Sequence, residues 1–201
     1  MKKKDIKNYF HAIRQNNLEK VIELVTNDKS YLDACNFAPP KKDDGQSGLQ
    51  VAFKTGNFEI AKYLIGQNID VNFIEKSEIN EWKAPVLHDC IRATIFSSIK
   101  LQKDTNRFDK AFELFQEMLK RKSNPNATDS YGNNCLNRAF LDARQILDGT
   151  DDFENGILIK QLRSVFEELI TFGANPREKN DKRESLEYNI INYGMEKYKL
   201  I

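Results

Sequence analysis

The chain has 201 residues, enough for one compact domain or one short array of repeats. Its 31 basic and 30 acidic residues leave a formal net charge of +1, against the one-sided basic excess a nucleic-acid surface needs. No apolar run reaches the ~18 residues of a membrane span. No signal-peptide core follows the basic start, and three cysteines without CxxC spacing fit a reduced interior.

Taken in chain order, a first helix is predicted around residues 6–15. A second carries the stripe Leu18, Val21, Ile22, Leu24 and Val25. Asp44-Gly45 then supplies a tight turn that needs positive φ. A short helix follows and breaks at Gly56, and its partner holds Phe58, Ala61, Tyr63, Leu64 and Ile65 before an Asp70-Val71-Asn72 exit. Pro85 suits the first turn of the next helix, which reads PVLHDCIR. The helix after it is striped by Phe112, Leu114, Phe115, Met118 and Leu119 and leaves through SNPN. Tyr131-Gly132 marks another turn, then come CLNRAF, a helix with Leu162, Val165, Phe166, Leu169 and Ile170, and a stop at Gly173. One last helix, around 185–190, ends before Gly194.

The paired apolar residues Leu24-Val25, Leu64-Ile65, Met118-Leu119 and Leu169-Ile170 recur at spacings of 40, 54 and 51 residues. The order of turn, short helix, small-residue break, striped helix and polar exit resembles the ankyrin repeat, whose period is ~33 residues. The resemblance spans roughly residues 6–193 and is strongest at 44–72 and 126–139. It implies an all-α ankyrin-repeat solenoid of about four and a half helix-turn-helix repeats, near 6–34, 43–75, 80–127, 128–178 and a partial 180–201. The chain departs from the family pattern where Ser47-Gly48 and Asn134-Cys135 replace Thr-Pro, and where Gln50 and Asn137 replace the His that His88 supplies. The third and fourth copies carry about 16 and 18 extra residues, TIFSSIKLQKDTNRFD and DARQILDGTDDFENGILIKQ. Both read as lengthened helices with a loop at the tip. They either extend the core or, at 148–156, form an acidic protrusion toward a partner.

No motif for catalysis is present: there are two histidines, His11 and His88, and no HExxH, GxSxG or phosphate-binding loop. Cys90 and Cys135 are expected as small buried residues. Asp151, Asp152 and Glu154 lack the ligand spacing of a calcium loop, so neither a metal nor a cofactor is expected. Repeat arrays hold partners on an extended surface. The resemblance implies that the fingers and the exposed side of the first helices meet the partner. That assigns Asp43, Asp44, Gln46 and Lys54 in repeat two, with Thr55 beside them. Repeat three gives Glu81, Trp82 and Arg92, with Ala84, and repeat four gives Ser130, Tyr131 and Asn133, with Leu141 and Asp142. The expected function is protein–protein binding, most sharply stoichiometric inhibition of a bacterial toxin in the manner of an immunity protein. The alternative is an adaptor or secreted effector that recruits a cellular protein. The chain is expected to be cytoplasmic and monomeric on its own, and to contact neither nucleic acid nor membrane.

Overall fold

A computed structural model describes residues 3–37, 39–98, 105–147 and 156–201. Among them are nine α-helices, three short 3-10 helices and no strand. Three isolated antiparallel bridges, Cys35 with Ser47, Ile74 with Pro85 and Asn180 with Arg183, are the only sheet-like pairings described. The all-α expectation therefore holds. The chain divides into two compact units, residues 1–90 and 91–201.

In the first unit α1 (Lys3–Arg14) packs against α2 (Leu18–Asn27) and α3 (Gly48–Thr55), and α4 (Phe58–Gly66) packs against α3 and α2. Each hairpin thus touches the next first helix to first helix and second helix to second helix. The apolar stripes dictate this: Tyr9, Phe10, Ile13, Val21, Val25, Leu49, Phe53, Ile60 and Leu64 all lie inside, and no single hairpin could cover them. The Asn57 side-chain amide donates to the Ile13 carbonyl at 2.6 Å and pins the two hairpins together. Gly48 has a specific cause. A Cβ there would stand 2.3 Å from the Tyr9 hydroxyl, so any side chain at this position would force the buried Tyr9 to shift. Ile22, expected in the apolar stripe, is instead 38 % exposed.

The division falls within α5 (Val86–Phe96). The second unit continues with α6 (Thr105–Lys120), α7 (Cys135–Leu147), α8 (Gly156–Thr171) and α9 (Leu186–Asn192). The pairings α6 with α8 and α7 with α9 repeat the rule of the first unit, and α7 packs on α8. Phe115, Met118, Phe140, Leu162, Val165, Phe166 and Leu169 form the core. The Arg163 guanidinium donates twice to the Tyr198 carbonyl, at 3.1 and 2.8 Å, and fastens the last turn of chain to α8.

The helix ends repeat atom for atom. After α4 the amides of Asn68 and Ile69 donate to the carbonyls of Ile65 and Leu64, at 3.0 and 3.3 Å. After α6 Lys122 and Ser123 do the same to Leu119 and Met118, and after α8 Gly173 and Ala174 to Ile170 and Leu169. These are paired 5→2 and 6→1 caps around a left-handed residue, with φ of 62°, 65° and 98° at Asn68, Lys122 and Gly173. The acceptors are the paired apolar residues that set the repeat spacing. Two residues beyond each cap, the side-chain oxygen of Asp70, Asn124 or Asn175 takes the amide of Asn72, Asn126 or Arg177 at 2.8, 2.9 and 3.0 Å. Such turns close on their own side chain and need no outside partner. The first copy departs: α2 ends at an extended Asp28 whose amide returns to Leu24.

The extra residues of the third and fourth copies lengthen the helices, as expected. Helices α3 and α4 have 8 and 9 residues, whereas α5 and α6 have 11 and 16, and α7 and α8 have 13 and 16. Ile95, Ile146, Leu147, Leu158 and Ile159 are buried, so the lengthened parts add core. Ile99, Leu101 and the tip with Asp151, Asp152 and Glu154 lie outside the described residues.

Candidate functional site

In the first unit two fingers project ahead of the first helices. Residues 35–47 close through the Asn36 amide on the Gln46 carbonyl, 2.9 Å, and the Gly45 amide on the Asn36 carbonyl, 2.7 Å. Residues 73–86 close through Glu75 to Ala84, 3.0 Å, and Val86 to Phe73, 2.8 Å. The Lys76 amide donates to the Gly45 carbonyl at 2.9 Å and joins the fingers backbone to backbone. Gly45 sits at φ 73°, and a Cβ there would fall 2.0 Å from the Ser77 nitrogen. Two side-chain bonds reinforce the join, Ser77 Oγ to Asp44 Oδ2 at 2.8 Å and Asn80 Nδ2 to the Lys41 carbonyl at 3.1 Å.

The sequence-derived site residues of this unit separate into inner and outer sets. Asp43 is buried, receives Arg14 Nε at 2.8 Å and accepts Asn36 Nδ2 on its carbonyl at 3.1 Å. Gln46 is fully buried and donates from Nε2 to the Lys42 carbonyl and to Glu75 Oε2, each at 3.2 Å. Both residues brace the finger from inside and offer no side chain to solvent. Ala84 is buried too. Asp44 is half-buried, while Lys54, Thr55 and Glu81 are exposed. Trp82 is half-buried with Lys54 Nζ 5.8 Å from its ring centroid, a distance at which cation and ring attract. The structure therefore brings Lys54 and Trp82 together. Behind them lies Glu75, whose carboxyl burial pushes up, while Lys54 and the amide of Gln46 pull it back.

In the second unit the Asp129 carboxylate receives the amides of Tyr131 and Asn133, at 3.0 and 2.9 Å, and Asn133 Nδ2 at 2.9 Å. Asn133 is consequently buried, whereas Tyr131 is 46 % exposed. The following finger, at 180–183, reaches back through Asn180 Nδ2 to the Gly132 carbonyl at 2.8 Å, and through Lys182 Nζ to the Ser130 carbonyl at 2.9 Å. Arg92 is exposed, with its guanidinium 5.4 Å from the Phe96 ring. Leu141 is half-buried. Asp142 is fully buried against Arg138, at 2.9 and 2.6 Å, and burial pushes its carboxyl up despite the guanidinium.

Sequence reasoning missed a further outer group, Tyr193 with Arg144 4.1 Å over its ring and Phe140 5.8 Å away. Its only signal was a Tyr next to a Gly at a helix end. Helices α3, α7 and α9 each begin after a capping side chain. Ser47, Asn134 and Ser185 each accept the amide three residues on, at 3.2, 2.9 and 3.2 Å. Gln50 and Asn137 each donate to the chain entering the next first helix, at the carbonyls of Ala84, 3.2 Å, and Glu184, 3.4 Å.

The three thiols are free, and burial pushes those of Cys35 and Cys135 up, away from the reactive thiolate. Among the described residues no three His, Cys, Asp or Glu side chains converge as metal ligands. No described helix is long and apolar enough to cross a membrane. What each unit offers is finger and first-helix side chains suited to non-covalent contact. No protein-family model matches the chain, and no curated protein does.

Proposed function

We propose that this chain is a divergent ankyrin-type array that binds another protein through its fingers and first helices, and that it acts in the cytoplasm. The observation that carries the reading is the triple recurrence, at 68–72, 122–126 and 173–177, of a left-handed cap followed by a side-chain turn, in register with the paired apolar residues. A repeated structural unit implies a repeated surface, and the outer side chains Lys54, Glu81, Trp82, Arg92 and Tyr131 are what that surface presents. Trp, Tyr and Arg contribute far more than their share of interface energy.

The sharper proposal is stoichiometric inhibition of a toxin, which asks only for a rigid complementary surface. Affinity capture on the immobilised chain, followed by co-expression of the captured protein with and without it, tests both levels. The inhibitor reading requires that the captured protein arrest growth alone and not in the chain's company. Capture of a harmless partner would favour the adaptor. Failure of any captured protein to bind the purified chain would defeat the binding reading itself.

A further inference from the structure

A second candidate surface lies in the first unit, where α1 meets the first finger. Lys3, Lys4, Ile6 and Lys7 of α1, with Phe37 and Pro39 of the first finger, line a cleft of about 380 Å³. Phe37 is 66 % exposed, and Lys3, Lys4 and Lys7 are all exposed. Among the described residues no acidic side chain lines the cleft. Asp5, on the same helix, is not among the lining residues. Among the described residues none of the three lysines makes an ion pair, although Arg14, Lys20, Arg121, Arg138 and Arg177 all do.

Three unpaired cations in the first turns of a helix stand at the positive end of its dipole, where they repel it. The lysines and the two-thirds exposed Phe37 thus present positive charge and apolar surface side by side. A negatively charged ligand with one bulky apolar group would answer both. Carboxylates would face the lysines, and the apolar group would enter between Ile6, Phe37 and Pro39. A hollow of this volume suits a single inserted side chain better than it suits the flat face of a bilayer.

We infer that this cleft docks an acidic peptide segment of a partner protein, anchored by one large apolar side chain. The probe is a fluorescein-labelled, end-capped peptide, Asp-Glu-Glu-Phe-Glu-Asp, titrated by anisotropy into the full chain at low salt. Saturable binding is expected, weakened at least about tenfold by Lys3→Glu with Lys7→Glu and about threefold by Phe37→Ala, and weakened by added salt. The exposed positions should leave the melting temperature unchanged, and Lys3→Gln with Lys7→Gln is a milder version should the charge reversal disturb α1. Trp82→Ala with Tyr131→Ala should bind the peptide as the unmodified chain does, which separates this site from the finger surface. Absence of saturation overturns the inference. So does equal binding of a peptide with Ser in place of Phe, since that is attraction by charge alone. Lysine-dependent binding to phosphatidylserine vesicles, with none to the peptide, would make the surface a membrane contact and overturn it too.

Discussion

Gly45 and Gly132 hold the same place in two fingers, with φ of 73° and 82°, yet their surroundings differ in kind. A Cβ on Gly45 meets backbone, the Ser77 nitrogen at 2.0 Å and the Lys76 carbonyl carbon at 2.4 Å. A Cβ on Gly132 meets the side chains of Lys182 at 2.8 Å and Asn180 at 2.9 Å. The join in the first unit is main chain to main chain and cannot give. The join in the second is carried by an Asn amide and a Lys ammonium, which can swing aside. The same left-handed glycine therefore builds one rigid junction and one compliant one.

Gly45→Ala is the sharpest way to break that comparison. Left-handed strain of ~1–2 kcal/mol adds to a displaced second finger, for a loss of about 3 kcal/mol or more by chemical denaturation. Leu169→Ala should cost roughly 2–5 kcal/mol, as for a buried Leu whose neighbours cannot collapse, and Leu119→Ala should fall in the same range. An unchanged melt in either variant would place the repeat register wrongly there. Gly132→Ala should cost only about 1–2 kcal/mol, the strain with little clash. Equal losses at Gly45 and Gly132 would erase the distinction between the two junctions.

The smallest effect concerns the buried carboxyl behind the first junction. Burial favours its protonated form, so the folded chain holds the Glu75 proton more tightly than the unfolded chain does. Stability from this group is greatest below its ordinary range and falls as pH rises through the elevated folded value. Glu75→Gln should therefore stabilise the chain at pH 7, by less than about 1 kcal/mol given the partial compensation by Lys54 and Gln46. The advantage should disappear toward pH 4. A variant less stable at pH 7, with no dependence on pH, would mean that the charge itself is needed at the junction.

Periodicity carried most of the fold. The apolar stripes and their paired ends located α2, α4, α6 and α8, and the pairs of α4, α6 and α8 turned out to be the cap acceptors. Gly56 and Gly173 announced their left-handed turns, but Lys122 at φ 65° did not, because nothing in a lysine signals that conformation. Only its offset from Met118-Leu119 could have found it. Gly48 was equally opaque, since its reason is a tyrosine hydroxyl 39 positions earlier in sequence. For the candidate site, position in the repeat pattern did not tell which side chains face solvent. Asp43, Gln46 and Asn133 are polar turn residues of the kind that usually face water. Here Arg14, Glu75 and Asp129 hold them inside, and those partners lie on other elements or four residues away. Exposure at the tips depends on such tertiary pairing, which a linear pattern does not contain.

Binding through the fingers is tested most directly by calorimetric titration of the captured partner into the unmodified chain and into Trp82→Ala with Tyr131→Ala, each beside a thermal melt. The proposed surface requires the double variant to lose about 2 kcal/mol or more of binding free energy while its melting temperature stays put. Unchanged affinity in a folded double variant would contradict it.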